Sequence, residues 1–214
     1  MNLLEVKKIV FGGENSRVEF KRKLNHPEKV IREIVAFANS NGGHLFIGVD
    51  DDKTIAGLKY PEEEDYILKK SINELCKPEI KFDAEIIKLN EKKGLLHYFI
   101  FPSDKKPHFA FEQKHHRYGK AFVRVEDRSI QASKEMRKIL KLSTRGEERT
   151  LKYGELERML LRQIEEVGRT TVSKFQQLSG LPYERASNVI IDMVLANVIR
   201  VIPRELEDWF EAIE

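Results

Sequence analysis

The run Asn39-Ser40-Asn41-Gly42-Gly43 constrains this chain more than any other segment. Ahead of it, Val30, Ile34 and Ala38 recur at helical spacing with Ile31 and Val35 beside them, and Pro27 stands where a first helical turn tolerates the missing N–H. Behind it, Leu45, Ile47 and Val49 alternate with His44, Phe46, Gly48 and Asp50, the period of a strand. Five turn-forming residues separate the two patterns, so an amphipathic helix must reverse directly into a half-buried strand. That requires a fold in which helices layer on a sheet.

The neighbouring segments extend this reading. Val18 and Phe20 alternate with Arg17, Glu19 and Lys21, which predicts an earlier strand. A second helix is expected over 63–76, carrying Ile67, Leu68, Ile72 and Leu75 and closed by Pro78. Strands follow over 80–89 and 95–101, joined at Glu91-Lys92-Lys93-Gly94, then a basic loop over 103–120, a strand over 121–126 and a short helix over 133–142. Residues 1–142 thus read as one α+β domain with a mixed sheet, and the polar stretch 143–150 as a linker.

Residues 151–214 differ in character. Leu156, Met159, Leu160 and Ile164 form a helical stripe ended by Gly168. Thr171 can cap a short helix with Phe175 and Leu178, and Pro182 opens a third helix with Ala186, Val189, Ile190 and Met193. A β-prone tail over 198–202 completes the order of a small winged helix-turn-helix. Tyr183, Glu184, Arg185, Ser187, Asn188 and Ile191 are expected on the exposed side of the third helix, where Arg185 and Asn188 could read guanine and adenine edges. Glu184 and Asp192 would oppose phosphates there, so a dimerisation or protein-docking module is a close alternative.

With 41% hydrophobic and 34% charged residues, the composition excludes fibrous and disordered classes. The single Cys76 excludes an intrachain disulfide framework and a cysteine zinc site, and it suits a reducing compartment. Lysines interrupt the first thirteen residues, so neither a secretory leader nor a membrane partner is expected and the cytoplasm is the default. The net charge of +3 is unevenly spread: residues 1–154 carry 31 Lys/Arg against 24 Asp/Glu, and residues 155–214 carry 7 against 11. A polyanion would therefore meet the first region.

No Walker loop and no Gly-x-Ser-x-Gly elbow is present. The loop over 103–120 interleaves Lys105, Lys106, Lys114, Arg117 and Lys120 with Phe109, Phe111 and Tyr118, a pattern that suits phosphate neutralisation and base stacking, or else a solvated hairpin. Glu14, Glu19 and Asp50 flank the first strand and end the second. If those strands are neighbours, the three carboxylates could hold Mg²⁺ or Mn²⁺ for phosphodiester cleavage; otherwise they face solvent. Lys21, on the same strand face as Glu19, could then hold the scissile phosphate.

The blocks Glu14-Asn15-Ser16-Arg17-Val18-Glu19-Phe20-Lys21 and Ala36-Phe37-Ala38-Asn39-Ser40-Asn41-Gly42-Gly43-His44-Leu45-Phe46-Ile47-Gly48-Val49-Asp50-Asp51 resemble the signature of the Schlafen-type AlbA domain, and Phe122-Val123-Arg124-Val125 resembles its later strand. The resemblance implies a nucleic-acid-binding α+β fold, with Arg124 among the binding residues. It also implies the bacterial pattern of fusion to helix-turn-helix modules in transcriptional regulators. In vertebrate Schlafens the domain occurs in tandem, and some members cut tRNA and rRNA with three acidic residues. Those positions correspond to Glu14, Glu19 and Asp50, with Asp51 as the other choice for the third. The leading expectation is a DNA- or RNA-binding transcriptional regulator that works as a homodimer. The alternatives are a Mg²⁺- or Mn²⁺-dependent endoribonuclease and a protein-interaction adaptor.

Overall fold

The computed structural model describes residues 1–144 and 153–213. Residues 145–150 of the expected linker lie outside the described residues. The chain divides into two compact units, Met1–Ile130 and Gln131–Glu214.

In the first unit, helix α1 spans Leu3–Gly12, strand β1 Val18–Lys21, helix α2 Pro27–Asn39 and strand β2 Gly43–Ile47. Helix α3 spans Pro61–Leu75, with strands β3 Cys76–Lys77, β4 Phe82–Lys88, β5 Gly94–Ile100, β6 Phe109–Ala110, β7 Phe122–Val125 and β8 Arg128–Gln131. The main sheet has the order β1-β2-β5-β4, with β1 parallel to β2 and the other pairs antiparallel. This is the mixed sheet and α+β class expected.

The sheet buries both faces. Ile31, Ile34 and Val35 of α2 and Leu68 and Ile72 of α3 pack on Leu45, Ile47, Leu96, Tyr98 and Ile100. On the opposite face, Val6 and Val10 of α1 cover Phe20, Phe46, Ile87 and Leu95. The helix α1 was not anticipated, although its signal is in the sequence: Asn2 caps it and Glu5 closes the capping box. Val49 joins the α1 side rather than continuing the Leu45/Ile47 face, because β2 ends at Ile47 and the alternation stops there.

The breaker run does what its composition requires. Gly42 has φ +70°, and its N–H bonds to the Phe37 carbonyl at 2.9 Å. A Cβ on Gly43 would stand 2.5 Å from the Phe37 ring and 2.7 Å from the Arg17 carbonyl oxygen. These two glycines serve the turn and the close approach of helix and strand.

In the second unit, helix α4 spans Lys134–Ser143, α5 Glu155–Val167, α6 Val172–Ser179 and α7 Tyr183–Leu195, followed by the antiparallel strands β9 Ile199–Ile202 and β10 Trp209–Ala212. Leu160, Ile164, Phe175, Ile190, Met193 and Phe210 form its core. Thr171 caps α6 through Lys174 N at 3.2 Å, as its position suggested. Helix α4, which the sequence reading grouped with residues 1–142, belongs to this unit and packs against α7. Ser187 and Ile191 are consequently buried, not exposed: the Ser187 hydroxyl donates to Glu135 Oε1 at 2.9 Å, and Ile191 joins the core.

Candidate functional site

The first block of signature residues folds around β1. Val18 and Phe20 enter the core beneath α1, so the intervening Glu19 points to the α2 side. Asn15 Oδ1 accepts from Arg17 N at 2.8 Å, and Glu14 Oε1 accepts from Phe20 N at 2.8 Å, closing the turn ahead of the strand. Partial burial raises the pKa of Glu14; the Phe20 N–H opposes this, repulsion from Glu19 and Asp51 adds to it, and Lys21 counters it.

Glu19 meets Arg124 at the centre of a buried network. The Arg124 side chain is 1% exposed and lies over the Phe37 ring. Its Nη1 donates to Glu19 Oε2 at 3.0 Å, Glu33 Oε2 at 2.7 Å and Ser129 Oγ at 3.2 Å, and its Nη2 donates to the Asn15 carbonyl at 2.8 Å. The Ser129 hydroxyl also donates to Glu33, and Lys21 pairs with the other oxygen of Glu19. Burial raises the pKa of Glu33, the Glu19 charge adds to it, and Ser129 and Arg124 hold it down.

Both oxygens of Glu19 are taken by cationic side chains, one oxygen of Glu14 accepts a backbone N–H, and Asp50 pairs with Arg22 at 3.3 Å. Among the described residues no group of three or more His, Cys, Asp or Glu is arranged to hold a metal ion. A divalent cation would have to displace Lys21 or Arg124 from Glu19, so in this arrangement Glu14, Glu19 and Asp50 do not fit one. Arg124, expected to contact nucleic acid, is instead an internal counterion; its burial removes it from any phosphate. Sequence reading missed Glu33 and Ser129, because nothing local announces that a helix and a hairpin will share one guanidinium.

A second buried cluster shapes the basic loop. Asn39 Nδ2 donates to the carbonyls of His108 at 3.0 Å and Phe122 at 2.9 Å, and its Oδ1 accepts from His108 N at 2.7 Å. Asn39 is a clamp between α2, the loop and β7. Lys106 reaches the Ser40 carbonyl at 2.7 Å, and its partial burial lowers its pKa.

The remaining loop cations face outward. Lys114 pairs with Glu74 at 3.2 Å and Lys120 with Glu112 at 2.9 Å, both exposed contacts of the kind that contribute about 0–1 kcal/mol and exchange readily. Arg117 lies 5.4 Å from the centroid of Tyr118, which is 77% exposed, and Lys105 is exposed. Lys77 over Phe111 and Arg32 over Phe122 add two cations that the sequence reading passed over. In the second unit Arg185 is exposed, but the Asn188 side-chain oxygen is taken by Lys138, and Glu184 by Lys134.

A two-faced mixed sheet with a β1-α2-β2 crossover, a buried Glu19–Arg124–Glu33 network and a basic aromatic loop together define an α+β domain. The family model described as Schlafen, AlbA_2 matches residues 14–133, more than half of the 214 residues, and the chain belongs to that family. The chain is similar to the solution NMR structure of the N-terminal domain of a putative ATP-dependent DNA helicase RecG-related protein from Nitrosomonas europaea, at 21% identity and a TM-score of 0.45, over 58% of this chain and 88% of that one. It is also similar to the crystal structure of the DIP2311 protein from Corynebacterium diphtheriae, at 12% identity and a TM-score of 0.40, over 88% of this chain but only 36% of that one. No helix among the described residues is long and apolar enough to cross a membrane.

Proposed function

We propose that this chain binds nucleic acid through the loop of its first unit and acts as a transcriptional regulator. Family membership supports a nucleic-acid-related role. The observation that carries the reading is the loop itself: Lys105, Lys114, Arg117 and Lys120 line its exposed side with Tyr118, and none of them is needed to build the core. Cations there neutralise phosphates, and the exposed ring offers a stacking surface. The second unit supports the regulatory part. Its succession α5, α6, α7 and hairpin, with Thr170 bridging to Phe210, suits a winged helix.

The test is fluorescence anisotropy of labelled duplex DNA and tRNA against salt, on wild type and on a variant with Lys105, Lys114, Arg117 and Lys120 changed to alanine. Lys106 is left alone because it holds the Ser40 carbonyl. Each lost phosphate contact should lower the log–log salt slope by about 0.9 on duplex DNA. An unchanged slope would remove the loop from the reading, and a wild type without salt-sensitive binding would favour an adaptor. The same preparation with Mn²⁺ should leave tRNA intact, since Arg124 and Lys21 already neutralise Glu19; chelator-sensitive cleavage would establish the nuclease instead.

A further inference from the structure

The second unit carries a feature that its expected helix α7 does not explain. Trp209, at the start of β10, has the guanidinium carbon of Arg169 at 3.6 Å and that of Arg204 at 4.1 Å from its ring centroid. One face of an indole has room for a single guanidinium at such a distance, so the two stack on opposite faces. Arg169 follows the left-handed Gly168 that ends α5, and Arg204 lies in the connection from β9 to β10.

Asp208, Glu207 and Glu211 of this segment have partners of their own. Asp208 is buried, accepts from Arg204 N at 3.1 Å and takes the Ser133 hydroxyl. Glu207 accepts from Ser173 N at 3.0 Å, and Glu211 pairs with Arg200 at 2.6 Å. Arg169 and Arg204 are themselves exposed. Stacking holds each planar fork in place while leaving its edge N–H groups toward solvent, which suits bidentate contact with a phosphate. The face of α7 that would otherwise read bases is occupied by α4 through Lys134, Glu135 and Lys138.

We infer that Arg169, Arg204 and Trp209 form the phosphate-backbone contact of the second unit, so that this unit meets nucleic acid through its hairpin side and not through Arg185 and Asn188 of α7. The inference rests on the nucleic-acid reading above and deepens it.

The full chain supplies its own reporter, because Trp209 is its single tryptophan. Titration with a 20-base-pair duplex should change Trp209 emission with the same midpoint as the anisotropy of the labelled duplex. The pair R169A/R204A should bind about tenfold more weakly near 100 mM salt, with a slope reduced by about two and the same loss on unrelated sequences. R169Q/R204Q, which keeps planar groups on the ring, should show the same loss should alanine loosen the hairpin, and R169K/R204K should keep the slope. R185A should bind as wild type. The site is overturned if duplex binding proceeds with unchanged Trp209 emission, if R169Q/R204Q matches wild type, or if polyglutamate alters the emission as strongly as duplex at equal charge. Absence of salt-sensitive binding by wild type would instead overturn the nucleic-acid reading itself, and this site with it.

Discussion

Replacing Arg124 by methionine tests whether the Glu19–Arg124–Glu33 network is structural. The guanidinium donates to two carboxylates, one hydroxyl and one carbonyl from a side chain that is 1% exposed. Methionine keeps contact with the Phe37 ring but leaves Glu19 and Glu33 facing one another without a shared cation. Removing one partner of a buried pair costs about 3–5 kcal/mol. The Glu33 side chain is 19% exposed, so water relieves part of the penalty and about 3 kcal/mol is expected. The pH dependence follows from Glu33, whose pKa already lies above the ordinary carboxylate value and loses an opposing charge in the variant. A carboxylate raised in the folded state is most compatible with folding at low pH, and stability falls as pH rises through the window above 4.5. The deficit should therefore be larger at pH 8 than at pH 5, by at least about 1 kcal/mol for each pKa unit of further rise. Urea unfolding followed by far-ultraviolet circular dichroism at the two pH values measures this, since Trp209 lies in the other unit. The double variant R124M/E33Q should recover part of the loss. A cost under about 1 kcal/mol, equal at both pH values, would refute the argument that this buried charge cluster organises the domain.

Two further outcomes are expected. Asn39→Ala strips three buried hydrogen bonds and should lower stability by about 3 kcal/mol in the same urea assay; Asn39→Asp, which sets an acceptor against the His108 and Phe122 carbonyls, should cost at least as much. Acidification should destabilise the first unit between pH 6.5 and about 4. His97 Nδ1 donates to Glu85 at 2.9 Å, and its Nε2 accepts from His44 Nδ1 at 2.9 Å, so both rings sit neutral; burial, repulsion from His97 and then Arg17 lower His44 to about 4. For such depressed histidines the stability is complete above the unfolded pKa and is lost as pH falls toward the folded one. Thermal midpoints against pH should show that loss in wild type and a smaller one in H44F, whereas parallel curves would contradict the assignment.

Much of the first unit is legible in local pattern. Periodicity places α2, β1 and β2, and the glycine pair must turn between them, because the period of apolar residues and the sterics of a missing Cβ act over a few neighbours. The capped α1 was equally local and went unread, as did the strands β8 and β10. The site was legible only in part. The outward-facing loop cations are where the sequence suggests, since exposed charge needs no partner to be placed.

What tertiary structure alone decided is which charges are spent inside. Arg124 and Arg117 are the same residue type, yet one is enclosed by Glu19, Glu33 and Ser129 from distant segments and the other lies against exposed Tyr118. Helix α4 likewise lies next to the first domain in sequence but covers α7, and Arg169 and Arg204, 35 positions apart in the numbering, meet on Trp209. Electrostatic pairing and helix packing depend on distances through space, which packing of the whole chain sets and local sequence does not encode.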